Sequence, residues 1–373
     1  MLSFRTTGYN GYGIQYSPFF DNKIAVSTAA NYGLVGNGKL FILNIEQDGS
    51  IVNQIAWETQ DCLFDLAWSE IHENQVSACS GDGSIKLFDL AVPQFPVMNW
   101  HEHTREVFSV NWNQVDKSMF ASSSWDGTIK IWSPQRPESL LTLSSSTDPS
   151  VRVMSPQNIP PKSHQMKHQS QQPGQSDTIN CIYNATFSPH SPSVILSVSG
   201  SSNIQIWDIR APVPLQQEFV AHRGLESLGC DWNKYRSTVV ASAGTDKAVR
   251  VWDLRQIKTQ SQNSTIPGPA YHLRGPTPLN ELLGHEYAVR KVQWSPHSGK
   301  ELMSTSYDMT SKIWVDDSGE RTRFHNHGGC RGTMRLHKEF VIGCDYSLWG
   351  EPGWAATTGW DEMVYIWDSK RVH

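Results

Sequence analysis

The sequence lacks the features that would assign it to a membrane, secreted or metal-binding class. Its 373 residues contain no apolar run long enough to span a bilayer, and the N-terminal stretch MLSFRTTGYN has no apolar signal-peptide core, so neither membrane insertion nor secretion is expected. The six cysteines form no C-x-x-C pair and no Cys/His spacing typical of a metal site. We therefore expect free thiols in a reducing compartment, and no metal or cofactor.

An excess of positive charge is also missing. The formal net charge is −5 and the isoelectric point is about 6.3, which argues against general binding to nucleic acid or to anionic membranes. The sequence contains no phosphate-binding loop and no serine or cysteine nucleophile motif. These absences predict a protein that is not an enzyme.

What the sequence does contain is a repeat, best seen in HTREVFSVNWNQVDKSMFASSSWDGTIKIWS. Alternating apolar and polar residues predict strands, and the glycine of Trp125-Asp126-Gly127 supplies the positive φ of a tight turn before the last strand. The pattern is typical of a WD-repeat propeller blade, which has a period of roughly 40–45 residues. The predicted strands are Val107–Trp112, Met119–Ser124 and Thr128–Trp132.

A histidine before the first strand and an aspartate in the turn recur at a nearly constant spacing. With Ser122 and Trp132, the pair His103 and Asp126 suits a buried hydrogen-bond network within one blade. Such pairs also resemble a catalytic base and its orienting acid, but no nucleophile accompanies them, and repetition around a ring favours a structural role. The four complete pairs are His103/Asp126, His222/Asp246, His285/Asp308 and His337/Asp361.

Less regular copies bring the number of units to seven, so we predict one all-β, seven-bladed WD-repeat β-propeller over residues 1–373. Because only five residues follow the last repeat, residues 2–6 are expected to close the ring as the outer strand of the last blade. Two polar segments interrupt the period. Residues 144–177, between blades three and four, are expected to be disordered, and 146–175 to be removable without loss of stability or binding. Residues 256–279, between blades five and six, are polar and Pro-rich.

The repeat frame predicts which residues share a rim, because the loop before each inner strand and the turn between the second and third strands lie on the same side. The acids expected there are Asp61, Glu106, Glu226 and Glu339, and the large aromatic residues are Trp125, Tyr287, Tyr307 and Trp360. Exposed aromatics indicate a binding surface. Packing across the central channel is the alternative for Trp125, Tyr307 and Trp360, and a solvated carboxylate is the alternative for each acid. Asp61 and Glu106 are expected at matching places in adjacent blades, where they would bracket one cation.

Two stretches depart from the general repeat and carry a more specific resemblance. GYGIQYSPFFDNKIAV with YGLVGNGKLFIL in the first unit, and DYSLWGEPGWAATTGWD in the last, resemble the peroxisomal import receptors for type-2 targeting signals, the family of the seventh peroxin. QDCLFDLAW and HTREVFSVNWN in units two and three are similar to the same family. The resemblance implies a soluble, non-enzymatic receptor in the cytosol. It would bind type-2 signals of cargo proteins and cycle to the peroxisome matrix with a co-receptor peroxin and the peroxisomal docking complex.

The signal implied by this resemblance is Arg or Lys, an apolar residue, five residues of any kind, His or Gln, and another apolar residue. On a helix these positions project from one face, since seven residues are close to two turns. We therefore expect an amphipathic basic helix on the rim, with an acid pairing its leading cation. Two alternatives stay open. The Trp-Asp-x-Arg boxes ending at Arg210 and Arg255 suggest a substrate receptor of a cullin–RING ubiquitin ligase, and the second alternative is a general scaffold.

Overall fold

The computed structural model describes residues 1–144, 153–154, 180–257, 276–319 and 329–372. Most of the two polar segments predicted at 144–177 and 256–279 therefore lies outside the described residues, as does most of the segment predicted to be removable. Ser144 ends a strand, and the two-residue strand Val153–Met154 pairs with Thr142 and Leu143 of that strand.

The strands form seven antiparallel sheets, one for each blade of a closed propeller, and this confirms the fold that the repeats predict. Each sheet starts with an inner strand and continues outward in chain order, except that the outermost strand of blade seven comes from the N-terminus. Blade one contains Asn10–Tyr16, Lys23–Ala29, Gly38–Ile45 and Ile51–Thr59. Blade two contains Leu63–Trp68, Gln75–Ser80, Ile85–Asp89 and Met98–Trp100. Blade three contains Val107–Trp112, Phe120–Ser124, Thr128–Trp132, Leu141–Ser144 and Val153–Met154.

Blades four to seven repeat this order. Blade four contains Ile182–Phe187, Val194–Ser199, Asn203–Asp208 and Leu215–Val220. Blade five contains Ser227–Trp232, Val239–Gly244, Ala248–Asp253 and Asn280–Leu283. Blade six contains Val289–Trp294, Glu301–Ser306, Ser311–Val315 and Cys330–Met334. Blade seven contains Val341–Tyr346, Trp354–Gly359, Met363–Asp368 and, from the N-terminus, Leu2–Arg5. Short 3₁₀ helices span Asn31–Gly33 and Ser369–Arg371.

The N-terminal strand closes the ring as the sequence predicts. Leu2–Arg5 pairs antiparallel with Met363–Asp368, and the backbone N–H of Thr6 donates to the carbonyl of Glu362 over 2.9 Å. One strand boundary in blade three differs from the prediction. The second strand begins at Phe120, because Met119 still belongs to the preceding turn and donates its N–H to the carbonyl of Asp116.

The hydrophobic core lies between neighbouring sheets. In one cluster Leu40 and Trp57 of blade one pack with Leu66, Trp68 and Phe88 of blade two, and all five are buried. Burying apolar side chains between sheets is the main stabilising term for such a ring. Each blade is therefore stabilised by packing against its neighbours. Buried tryptophans such as Trp57 and Trp68 contribute to this packing, which agrees with the 15 tryptophans in the sequence.

Every inner strand contains a β-bulge near the end where it enters the blade. One extra residue leaves the ladder there, and a bulge of this kind redirects the side chain and bends the strand. The bulge residues are Tyr12, Phe64, Phe108, Tyr183, Leu228, Arg290 and Ile342. This repeated irregularity builds part of one rim surface of the propeller.

Candidate functional site

In blades two to seven, a backbone hydrogen bond joins the turn between the second and third strands to the loop before the inner strand. The turn residue donates its N–H to a loop carbonyl over 2.9–3.1 Å. The donor and acceptor residues are Gly81 and Cys62, Trp125 and Glu106, Gly200 and Cys181, Thr245 and Glu226, Tyr307 and Ala288, and Trp360 and Phe340. The two sets of positions that the repeat frame selects therefore lie next to each other, on one rim of the propeller.

These hydrogen bonds correct one expectation from the sequence. Trp125 pairs with Glu106, whereas Gly81 pairs with Cys62, so the equivalent of Glu106 in blade two is Cys62. Asp61 stands two residues before its inner strand, and Glu106 stands one residue before. The expectation that these two acids occupy matching places is wrong by one residue, because Asp61 corresponds to Arg105 and not to Glu106. That the pair brackets one cation stays a prediction.

The bulge residue is aromatic in four consecutive blades. Phe64 and Phe108 are stacked, with 4.6 Å between ring centroids and 7° between ring planes. Tyr12 meets Phe64 edge-on at 5.3 Å, and Tyr183 meets Phe108 edge-on at 5.9 Å. Rings in these geometries attract one another beyond their area burial. The bulges therefore build a row of aromatic rings across blades one to four.

Three of the four aromatic residues predicted on the rim extend this row. Trp125 stacks on Phe108 at 5.0 Å, and Trp360 lies 5.9 Å from Tyr12. Phe340 links Trp360 to Tyr307, with centroid distances of 5.1 and 4.9 Å. We call this row the aromatic arc, and all its members are partly exposed. It consists of Tyr307, Phe340, Trp360, Tyr12, Phe64, Phe108, Trp125 and Tyr183.

Trp125, like Trp360, is a member of the arc with an unused polar atom. Its indole Nε1 is buried and has no hydrogen-bond partner among the described residues. The guanidinium of Arg105 lies 5.2 Å from its ring centroid, and Arg105 Nε is 3.5 Å from Glu106 Oε2. A donor of this kind needs an acceptor, because an unpaired buried polar group costs free energy. The geometry favours a ligand or an ordered water at this point of the arc.

The other three predicted acids differ in the hydrogen bonds that they accept from the protein. Glu226 Oε1 accepts a hydrogen bond from the hydroxyl of Tyr183 over 2.9 Å, at the end of the arc. Asp61 Oδ1 accepts from the backbone N–H of Cys62 over 2.7 Å. Asp61, Glu226 and Glu339 belong to no ion pair within the described part of the chain. Their charge is therefore available to a cationic ligand.

Tyr287 is the predicted aromatic that does not join the arc. It is 61% exposed, and the ammonium of Lys247 lies 5.9 Å from its ring centroid. A different side chain, Tyr32 in the Gly-rich loop of blade one, lies 5.5 Å from Trp360. The carbonyl of Asn10's amide side chain accepts from the backbone N–H of Tyr32 over 2.7 Å, which holds this loop beside the arc.

The repeated histidine and aspartate form a buried network inside the blade, below the rim. In blade three His103 Nδ1 lies 2.8 Å from Asp126 Oδ2, and His103 Nε2 lies 2.7 Å from Ser122 Oγ. Trp132 Nε1 donates to Ser122 Oγ over 2.8 Å. Burial raises the pKa of Asp126, but hydrogen bonds from His103 and Thr128, with the His103 interaction, outweigh it and lower the pKa to about 2.

The charge states fix the direction of every hydrogen bond in this network. Burial lowers the pKa of His103, so a neutral imidazole faces an ionised Asp126 and donates from Nδ1. Nε2 then accepts from the hydroxyl of Ser122, which accepts from the indole of Trp132. The equivalent networks, with a threonine hydroxyl replacing the serine in blade seven, are His222–Asp246–Ser242–Trp252, His285–Asp308–Ser304–Trp314 and His337–Asp361–Thr357–Trp367. No open position for a substrate exists between these paired atoms, which favours the structural interpretation.

Sequence reasoning missed the aromatic bulge residues and Phe340. The repeat frame covers the turn and the leading loop, where Phe340 directly follows the selected Glu339, and it treats the second residue of the inner strand as part of a regular ladder. A signal was present, since an aromatic residue occupies that second position in three successive units, as Phe64, Phe108 and Tyr183.

The described residues contain no group of three or more His, Cys, Asp or Glu side chains that could hold a metal ion. Within the same residues, no helix has both the length and the apolar character to cross a membrane.

Comparison with known proteins agrees with the repeat and extends over the whole chain. A family model described as "WD domain, G-beta repeat" matches residues 94–133, 214–253 and 276–315. The chain is 48% identical to the peroxisomal targeting signal 2 receptor of Komagataella phaffii, with 100% of both chains covered. It is 47% identical to the receptor of that name from Saccharomyces cerevisiae over 99% of each chain, and 33% identical to that of Schizosaccharomyces pombe over 99% of this chain and 100% of the relative.

Proposed function

The chain belongs to the peroxisomal targeting signal 2 receptor family, and from this membership we propose that it is a cargo receptor that binds type-2 signals on its aromatic arc. It acts by binding alone, without catalysing a reaction. With a co-receptor peroxin and the peroxisomal docking complex, it delivers cargo from the cytosol to the peroxisome matrix.

The aromatic arc is the observation that carries this proposal. Its eight rings are partly exposed and follow one another across six blades, so an apolar stripe runs along the rim. A helical signal presents its two apolar positions on one face, about two turns apart. Rigid aromatic side chains bind such a face with little loss of conformational entropy. The arc and the signal are therefore complementary in shape and in polarity.

Charge and hydrogen bonding on the rim support the same ligand. Asp61, Glu226 and Glu339 provide carboxylates beside the apolar stripe, and Glu106 shares its charge with Arg105. A desolvated contact between such an acid and the leading Arg of the signal is stronger than a neutral hydrogen bond. The unpartnered indole N–H of Trp125 suits an acceptor on the peptide, such as the His or Gln of the signal.

The alternative of a ubiquitin-ligase substrate receptor has no comparable support. Its sequence signal was the pair of boxes ending at Arg210 and Arg255. The guanidinium of Arg255 is engaged by Asp253, with 2.6 Å between Nη2 and Oδ2. At Arg255 the motif is therefore an ordinary ion pair at the end of a blade, which needs no ligase partner to explain it.

The test is direct binding of a fluorescent type-2 signal peptide to the full chain. We expect saturable binding that is lost when both apolar positions of the signal are changed to serine. The leading Arg changed to Glu should weaken binding as well, and added salt should weaken the parent peptide. Equal binding of the parent and the serine-substituted peptide would overturn the proposed function, because the arc would then have no role in recognition.

A further inference from the structure

A second candidate binding surface lies on the face opposite the rim, where blade seven meets blade one. A cavity of about 230 Å³ opens there. We call it the seam pocket. Its apolar and aromatic lining consists of Leu2, Tyr16, Ile45, Trp349, Trp354 and Ile366. Pockets for drug-sized ligands have volumes of about 300–1,000 Å³. The seam pocket is smaller than these and has the size suited to one large side chain.

The seam pocket joins the two stretches that depart most from the general repeat. Tyr16 belongs to GYGIQYSPFF near the N-terminus, and Trp349 and Trp354 belong to DYSLWGEPGW near the C-terminus. The indole N–H of Trp349 donates to the carbonyl of Ser17 over 2.9 Å, which fixes one wall of the pocket across the seam. Signal binding on the rim does not explain these residues, because they lie at the ends of the strands opposite the rim.

Tyr16, a lining residue of this apolar pocket, has an unsatisfied polar atom. The side chain is almost fully buried, and its hydroxyl has no hydrogen-bond partner among the described residues. Burial raises the pKa of Tyr16, so the hydroxyl is neutral and can either donate or accept. A buried hydroxyl without a partner is uncommon in native proteins and calls for an explanation. A polar atom on a bound side chain would supply the missing partner.

The surface around the pocket is apolar and acidic. Leu348, Trp349, Trp354 and Phe19 are large hydrophobic residues with 36–51% of their surface exposed, and they lie on adjacent loops or strands. Contiguous exposed apolar residues of this kind mark interaction sites.

Three carboxylates accompany them. Asp21 lines the pocket, and Glu46 and Glu351 directly follow the lining residues Ile45 and Gly350. None of the three acids is in an ion pair within the described ranges.

The cations near the seam compensate this charge only in part, although the N-terminal ammonium of Met1 directly precedes the lining residue Leu2. Arg371 pairs with Asp368 over 3.2 Å, and the ammonium of Lys23 lies over the ring of Phe20 at 4.3 Å. Lys370 lies beside Gly353, at the edge of the patch. A partner segment that places an aromatic side chain in the pocket would therefore be stabilised by basic flanking residues.

We infer that the seam pocket binds a tryptophan or tyrosine side chain from a basic segment of a partner protein. The aromatic body packs against Trp349 and Trp354, and its polar tip pairs with the hydroxyl of Tyr16. Lysine or arginine residues on either side face Asp21 and its neighbouring acids. This site is separate from the signal-binding rim, so both can be occupied at once.

The probe is a fluorescein-labelled lysine-rich peptide with a single tryptophan, compared with versions carrying phenylalanine or alanine in its place. Binding to the full chain is measured in the presence of saturating type-2 signal peptide, which occupies the rim. We expect the order tryptophan, phenylalanine, alanine from tightest to weakest. Tyr16→Phe should weaken the tryptophan peptide by about fivefold, the value of one ordinary hydrogen bond, and should leave the phenylalanine peptide unchanged.

Matched variants separate this site from nonspecific attraction of a basic peptide. Trp354→Ala and Asp21→Lys should each weaken the tryptophan peptide, while binding of the type-2 signal stays unchanged. Asp116→Lys is the control, because Asp116 is an acid in the corresponding loop of blade three, on the same face. Equal binding of the three peptides, or equal effects of Asp21→Lys and Asp116→Lys, would overturn the inference. So would a concentration-dependent dimer that Trp354→Ala abolishes without any peptide preference, because the occupant would then be a second copy of this chain.

Discussion

The carboxylate of Asp345 in blade seven accepts a hydrogen bond from the backbone N–H of Tyr16 in blade one, with 2.7 Å between Oδ2 and N. Its other oxygen accepts from the side-chain amide of Gln293 in blade six. Similar bonds cross other seams around the channel, since Gln15 accepts from the N–H of Trp68 over 2.8 Å. Polar side chains of inner strands thus hold adjacent blades together where the sheets themselves share no ladder.

The first prediction concerns the pH dependence of stability that Asp345 causes. Burial outweighs its hydrogen bonds and raises its pKa from 3.8 to about 6. The folded state therefore binds this proton more tightly than the unfolded state, and the stability from this group is present below pH 4 and is lost as pH rises through 6. Between pH 4 and pH 7 this group should lower the free energy of unfolding by about 2–3 kcal/mol, and Asp345→Asn should remove that pH dependence. Urea unfolding of both proteins at several pH values measures it, and a constant difference across pH 4–7 would contradict it.

The second prediction assigns a structural role to the buried histidine networks. Asp126→Ala should lower the free energy of unfolding by roughly 1–3 kcal/mol, because it leaves His103 and the turn N–H groups without their acceptor. Asp82→Ala is the matched control, since Asp82 holds the same turn position in blade two and has only Ser84 and Lys86 as side-chain partners. Asp82→Ala should lower the free energy of unfolding by less than Asp126→Ala does. Equal costs in urea melts, or loss of signal binding by a fully folded Asp126→Ala protein, would argue against this role.

The third prediction tests the aromatic arc against the rest of the rim. Phe108→Ala should weaken signal-peptide binding strongly, because Phe108 contacts Phe64, Trp125 and Tyr183 and its loss interrupts the row. Tyr287→Ala removes a more exposed aromatic residue on the same rim, outside the arc, and should have a much smaller effect. Fluorescence anisotropy gives both affinities, and circular dichroism checks the fold. A larger loss from Tyr287→Ala than from Phe108→Ala would place the ligand elsewhere.

The fourth prediction concerns the leading cation of the signal. Glu106→Lys and Asp61→Lys should each abolish binding while leaving a folded propeller, because losing a partner at a desolvated charged contact costs about 2–5 kcal/mol. A peptide whose leading Arg is changed to Glu should regain part of its binding to Glu106→Lys. If both variants bind the ordinary signal undiminished, these acids do not form the cation site.

The one-residue offset between the two acids makes this comparison informative. Glu106 lies next to Arg105 and Trp125, whereas Asp61 lies over the turn at Gly81. Rescue by the reversed peptide in only one of the two variants would show which carboxylate meets the cation.

The sequence by itself determined the architecture. The spacing between His103 and Asp126 recurs in other units, and local alternation predicts the strands of each blade. Both features can be recognised from the sequence because each lies within a single repeat unit. The resemblance in the first and last units predicted the family that the relatives confirm. Ring closure by Leu2–Arg5 also followed from the sequence, because a propeller with an open edge lacks a strand that the chain must supply.

Only the tertiary structure decided which further side chains join the predicted rim residues, and that a pocket forms at the seam. The β-bulges that redirect Tyr12, Phe64 and Phe108 onto the rim arise where each inner strand meets its neighbour, and alternation along the sequence carries no record of an extra residue in the ladder. The seam pocket depends on contacts between residues more than 300 positions apart, such as Trp349 and Ser17. Such contacts exist only after the ring closes, because closure rather than local sequence brings the first and last blades together.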